Sequence, residues 1–214
     1  MKNSFTIRTI IKVFIVLISI TGIYSCQTLQ QIGNTISNLR KIQFKLDNVS
    51  NFKVLGIDIG NRTTMQDFGL DESARLGAAV LAKKLPIDFI LNVAALNPNS
   101  DNINGQSKTL ATLTSFDWKL FLDDTETIAG NIGNSITIPA SGQSTNIPLG
   151  MNLDLFKFFS DNSLDRIMKL VLAIGGKEGS TSRIKLDAKP TINTPLGPIT
   201  YPSRITIIDT EYRG

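Results

Sequence analysis

Three acids in four positions (Asp123, Asp124 and Glu126), an aspartate set between glycines in Gly56-Ile57-Asp58-Ile59-Gly60-Asn61, and a single cysteine, Cys26, are the groups able to do chemistry in this chain. The three acids offer carboxylate oxygens of the kind that ligate calcium. Asp58 at a strand end beside two glycines is a disposition that can hold phosphate and a metal. Gly175-Gly176-Lys177-Glu178-Gly179-Ser180 has the composition of a phosphate loop but not its spacing, because Lys177 is followed by Glu178. It reads better as a helix C-cap and loop. Histidine is absent from all 214 residues. That removes the commonest general base and zinc ligand, and with them any Ser-His-Asp or Cys-His arrangement.

The Asp58 segment resembles the first phosphate loop of the actin-like ATPases and their acetate-kinase relatives. That fold needs a second aspartate loop and a glycine-rich adenosine loop, and neither is visible here. A β-turn accounts for the two glycines, and a solvated hairpin tip accounts for the three acids. The expectation is therefore no catalytic residue, no metal and no cofactor, with a carboxylate-based enzyme or nucleotide binder as the weaker alternative.

Cys26 carries a different chemistry. Lys2, Arg8 and Lys12 precede the apolar run Val13 to Ile20, and Ile23-Tyr24-Ser25-Cys26 follows. This is the layout of an export signal, and it is short of the roughly 20 apolar residues of a membrane span. The segment resembles a bacterial lipoprotein signal, with Ile23 and Ser25 in lipobox positions. The resemblance implies that residues 1–25 are removed and that the Cys26 sulfur carries a diacylglyceryl group. A multiply acylated cysteine supplies the second hydrophobic signal that stable anchoring requires. Gln27, where a retention signal would have aspartate, implies the periplasm-facing outer membrane under the enterobacterial sorting rule.

Removing residues 1–25 takes three cations and no acid, so the net charge falls from +4 to +1. A nearly neutral body gives no reason to expect nucleic-acid binding. With Cys26 acylated, no disulfide is available, and stability rests on burial and hydrogen bonding.

The elements that must position these groups follow from periodicity. Residues 26–40 read as a polar tether, in which Leu29, Ile32, Ile36 and Leu39 sit at helical spacing. From Lys41 the period becomes two. Ile42, Phe44 and Leu46 alternate, Asn48 to Asn51 reads as a turn, and Phe52 to Ile59 as a second strand. An alanine-rich helix over 71–84 is expected, capped by Asp71 and stopped by Pro86, with Ala74, Gly77, Ala78 and Ala82 suited to close packing on a sheet. Ile87 to Ala95, Phe116 to Leu122 and Ile147 to Leu153 alternate clearly, with shorter strands at Thr127 to Ile132 and Ile136 to Ile138. A second helical region over 154–174 places Leu164, Ile167, Met168, Val171 and Leu172 on one face, with Ser163 as its cap. Ile184, Leu186, Ile205 and Ile207 mark a closing strand pair interrupted by four prolines. Many short strands separated by turns predict a mainly β fold, an antiparallel β-sandwich spanning 41–210 with accessory helices.

The strand from Pro86 ending in Asn97-Pro98-Asn99, the strand Trp118 to Leu122 ending at Asp123, the segment Ser135-Ile136-Thr137-Ile138-Pro139 with Gly142 and Pro148-Leu149, and the run Lys189-Pro190 to Pro202 together resemble the LEA type 2 (late embryogenesis abundant), or WHy, domain. The resemblance implies an immunoglobulin- or fibronectin-like sandwich and a non-enzymatic protein linked to desiccation or other stress. Asn97, Pro98 and Asn99 would form a turn there. The expected function is that of a lipid-anchored envelope protein with a structural, protective or protein-interaction role. The alternative is a carrier of lipid or another hydrophobic ligand, with Met151, Phe158 and Met168 lining a cavity between the sheets and the second helix.

Overall fold

A computed structural model of the chain describes residues 42–98, 111–140, 142–159, 164–176, 181, 183–194 and 197–209. The expected signal, the tether, Cys26, Asn99, the Ser163 cap and the loop 177–180 lie outside these residues. Residues 41–214 form one compact unit. Among the described residues ten strands run in the order β1 (Gln43–Val54), β2 (Ile57–Asp58), β3 (Pro86–Leu96), β4 (Ala111–Leu122), β5 (Thr125–Gly130), β6 (Ile136–Ile138), β7 (Ser144–Asp154), β8 (Ile184–Thr194), β9 (Gly197–Thr200) and β10 (Ile205–Ile207). Helix α1 (Leu70–Leu81) lies between β2 and β3, and helices α2 (Phe156–Phe159) and α3 (Leu164–Gly175) between β7 and β8.

One sheet has the order β2-β1-β3-β7 and the other β10-β8-β4-β5, with β6 on β4 and β9 on β8. All pairings are antiparallel. The long strands match the A-B-E and C′-C-F-G arrangement of an immunoglobulin- or fibronectin-like sandwich. The period-two residues fill the space between the sheets. Phe44, Leu46, Leu91, Val93 and Ile147 from one sheet, and Leu113, Phe116, Leu120, Leu122 and Leu186 from the other, are fully buried. The rings of Phe44 and Phe116 meet across the interface with centroids 5.3 Å apart. Each such side chain contributes about 1.5–3 kcal/mol on burial.

The outer face of the first sheet is polar and internally bonded. Asn92 on the central strand donates to Asn48 Oδ1 (2.8 Å) and Ser50 Oγ (3.1 Å), and its carbonyl oxygen accepts from Asn146 Nδ2 (2.9 Å). The far edges of the two sheets are laced where Leu46 N–H donates to the Ile208 carbonyl (3.0 Å). Near this seam Tyr201 is buried, with its hydroxyl donating to the Ile42 carbonyl (3.4 Å). Burial pushes the phenol from 10.0 up to about 12. The folded chain thus keeps this proton to higher pH than the unfolded chain. Its contribution to stability is complete below pH 10.0 and is lost as pH rises through about 12. The urea midpoint is expected to fall over that window, and Tyr201→Phe to flatten the fall. An unchanged slope in the variant would assign it to other groups.

The structure differs from the sequence expectations in four respects. Asn48 to Asn51 is not a turn: β1 runs through it, with register irregularities at 46–48 and 50–53 and with Asn51 at φ 54°. The hairpin turn is Leu55-Gly56, where both residues have positive φ (52° and 77°), so glycine suits the second position. Helix α1 starts after Gly69, not at Asp71, and Glu72 reaches back to accept from the Gly69 N–H (2.9 Å). It ends before Lys83, which has φ 50°, well short of Pro86. Its alanines do not pack on a sheet: Ala74, Gly77, Ala78 and Ala82 are exposed, and Leu76 is its one buried residue. The second helical region is two helices. Asp154 at the end of β7 accepts from Phe156 N–H (3.1 Å), starting α2, and from Leu85 N–H (2.8 Å), fixing the entry to β3.

Candidate functional site

The outer edge of β4 is covered by two short strands instead of one. β5 pairs with Trp118 to Leu122 and β6 with Ala111 to Leu113. Asn131 fills the gap between them. Its Oδ1 accepts from the Phe116 and Ile132 N–H groups (2.7 and 2.8 Å), and its Nδ2 donates to Ser115 Oγ (2.8 Å). This clamp makes the 131–135 segment one wall of a cleft.

The edge strand β7 forms the other wall. Leu155 N–H donates to the Leu85 carbonyl (3.0 Å), and the β3–β7 register carries this alternation along the strand. Odd-numbered residues of β7 therefore bond to β3, while Asn146, Pro148, Gly150 and Asn152 turn their backbone groups toward the free edge. Pro148 stands where its missing N–H removes no ladder bond, which is how edge strands discourage indiscriminate pairing.

Between these walls lies an open cavity of about 350 Å³, lined by Trp118, Asn131, Ile132, Asn134, Ile136, Leu149 and Gly150 among others. Trp118 is 5% exposed, and its indole Nε1 has no hydrogen-bond partner. A buried donor left unpaired costs about 1–3 kcal/mol. The ring is placed by its cross-strand neighbours, Ala188 and Gly130. Gly130 leaves it no slack, since a Cβ there would lie 2.4 Å from Trp118 Cζ2.

The cavity expected from Met151, Phe158 and Met168 is not formed by those residues together; they border separate depressions. Met151 is an odd-numbered β7 residue, hence buried between the sheets, and borders an open depression on the first sheet. Phe158 lines a cavity of about 460 Å³ with Arg166, Leu170 and Arg183. Met168, buried on α3, borders a groove of about 470 Å³ with Met65 and Leu172. The loop flanking that groove is held by Arg62, which donates to the Asp67 carbonyl, pairs with Glu72 (2.9 Å) and lies over the Phe68 ring. In the same loop the backbone N–H groups of Thr63 and Thr64 hold the Asp67 carboxyl down to about 2. Hydrogen bonding from Gly69 and the Arg62 guanidinium lower that of Glu72.

The other sequence candidates are dispersed. Asp58 is exposed, and its Oδ1 accepts from Gly60 N–H (2.8 Å), an Asx turn after a two-residue hairpin turn. Asp123 pairs with Arg183 (3.2 Å), Asp124 with Lys185, and Glu126 with Lys119 (2.9 Å). Among the described residues no three ligating side chains converge. Asn97 is buried and donates to the Ile138 carbonyl (3.4 Å), tying the end of β3 to β6. No described helix is long and apolar enough to cross a membrane.

No protein-family model matches the chain, and no curated protein matches it significantly. Among solved structures it is similar to a crystal structure of a protein from Archaeoglobus fulgidus, at 11% identity over 74% of this chain and 92% of that one, with a TM-score of 0.28.

The cleft at Trp118 was missed by sequence reading. Two signals for it were present: a proline inside an alternating strand, which marks an edge, and a sole tryptophan.

Proposed function

We propose that this chain is a lipid-anchored, non-enzymatic binding module of the bacterial cell envelope, tethered through acylated Cys26 and engaging a protein partner at the cleft beside β7. The observation that carries the reading is an open cleft bordered by Trp118, whose buried indole N–H has no partner, and bounded by a free strand edge. A partner's extended segment would pair with the free backbone groups of β7, and Pro148 restricts which segments can lie along the edge. The dispersal of the carboxylates into separate ion pairs favours binding over catalysis. Membership of the LEA type 2 class, with its stress-protective role, belongs to the same proposal and rests on the motif residues from Pro86 to Pro202.

The anchor and the cleft are tested separately. Cys26→Ala is expected to abolish both acylation of the chain and its globomycin-sensitive processing; a variant processed as the original is, or an original chain that carries no acyl group, would refute the anchor. A photo-crosslinking residue at Asn134 is expected to trap a defined partner in cells, while the same residue at Thr206, on the other edge of the second sheet, does not. Equal labelling from both positions would refute the cleft.

A carrier reading is favoured by one feature, the groove between Met65 and Leu172, whose lining is mainly apolar. Native mass spectrometry of detergent-free protein separates the two readings. Reproducible bound lipid supports the carrier, and its absence after careful extraction opposes it.

A further inference from the structure

Helix α1 directs two of its three leucines, Leu70 and Leu81, away from the protein. At 100° per residue, Leu70, Ala74, Gly77, Ala78 and Leu81 fall within an arc of about 100°, on the side away from buried Leu76. Leu70 is 93% exposed and Leu81 88% exposed. The alanines and glycine between them are exposed as well. The result is an apolar stripe about 16 Å long on a helix that touches its own domain through the opposite side. A scattered surface leucine needs no explanation, but a continuous stripe does.

We infer that this stripe is a two-fold contact with a second copy of the chain, the two α1 helices packing antiparallel. Composition and charge both select this partner. The stripe is bulky at its ends and small in its middle, so two backbones can approach closely while each Leu70 lies against the other copy's Leu81. The arrangement is self-complementary about an axis near Arg75 and Leu76, as an isologous interface requires. A bilayer would gain almost nothing from the alanines and the glycine. The charges point the same way. Asp71 lies in the first turn of the helix, and Lys83 and Lys84 follow its end, all three exposed. Antiparallel pairing sets each acidic end beside the other copy's lysines and opposes the two helix dipoles. An anionic membrane would attract the lysine end and repel the acidic end, so it complements only half of the stripe, whereas the antiparallel copy complements both ends.

One helix pair buries less than the roughly 1,200 Å² typical of a stable interface, so the contact is weak in dilute solution. The test therefore uses protein at several hundred micromolar. Full-length chains carrying Cys26→Ser and either Leu70→Cys or Leu81→Cys are mixed and oxidised. The mixed disulfide is expected to exceed either homotypic one by roughly tenfold, because like residues lie about 16 Å apart across the axis, beyond disulfide reach. Ala78→Glu, an exposed change that leaves the fold intact by circular dichroism, is expected to weaken self-association in sedimentation at least tenfold. Equal mixed and homotypic products would overturn the antiparallel pairing. Sedimentation as a monomer would overturn the dimer. Loss of binding to phosphatidylglycerol vesicles in Ala78→Glu, without any change in self-association, would assign the stripe to the bilayer and overturn the proposal.

Discussion

Truncating Phe116 to alanine is expected to cost about 3–5 kcal/mol of folding stability, read as a fall in the urea midpoint at unchanged slope. Phe116 is fully buried and meets Phe44 of the facing sheet at 5.3 Å, so its removal opens a void where the two layers touch. The surroundings are poorly able to collapse into it. Across the ladder Phe116 faces Pro190, whose ring is rigid, and its own N–H is held by Asn131 at 2.7 Å. The chain has no disulfide to offset the loss, since Cys26 is its only cysteine. A cost below about 1 kcal/mol would mean that the ring does not hold the layers together.

The long strands were legible because alternation has one physical cause, a sheet with one face toward its partner. Ile87 to Ala95, Phe116 to Leu122 and Ile147 to Leu153 read correctly for that reason. Asn48 to Asn51 misled because polar, turn-forming residues mark a turn only when neighbouring pairing does not override them. Here β3 is an unbroken partner on both sides of the irregularity, and one residue, Asn51, takes up the positive φ. Helix α1 was legible as a helix but not in its orientation. Alanine fits a buried or an exposed face equally well, and the body holds this helix largely through Leu76, the Arg62–Glu72 pair and Arg75, which donates to the Leu55 carbonyl (2.9 Å).

The site was less legible than the fold. Met151, Phe158 and Met168 were chosen by residue type, and type does not say which surface a side chain reaches. The Trp118 cleft depends on relations a linear reading does not contain. β7 must be an edge strand, its free groups must fall at Asn146, Pro148 and Gly150, and Gly130 must lie opposite the tryptophan twelve positions away.

That last relation carries a further expected result: Gly130→Ala should cost about 1–3 kcal/mol and should also move the indole. A Cβ at residue 130 would lie 2.4 Å from Trp118 Cζ2 and 2.9 Å from Cε2, closer than atoms can approach. Ala188 closes the other flank of the ring, and the core lies behind it, so the open direction is into the 350 Å³ cleft. Trp118 is the chain's sole tryptophan, so its emission reports the movement directly. The variant should emit further to the red and be quenched more readily by acrylamide, and it should lose the crosslinked partner captured at Asn134. Gly150→Ala is the matched control: Gly150 lines the same cleft, and a Cβ there meets nothing within 4 Å. A strand glycine replaced in open space removes no contact, so emission and stability should hold near their original values. Identical responses in the two variants would mean that the cleft does not depend on where the indole sits. A shift confined to Gly130→Ala, with partner capture lost alongside it, would tie recognition to the position of the Trp118 ring.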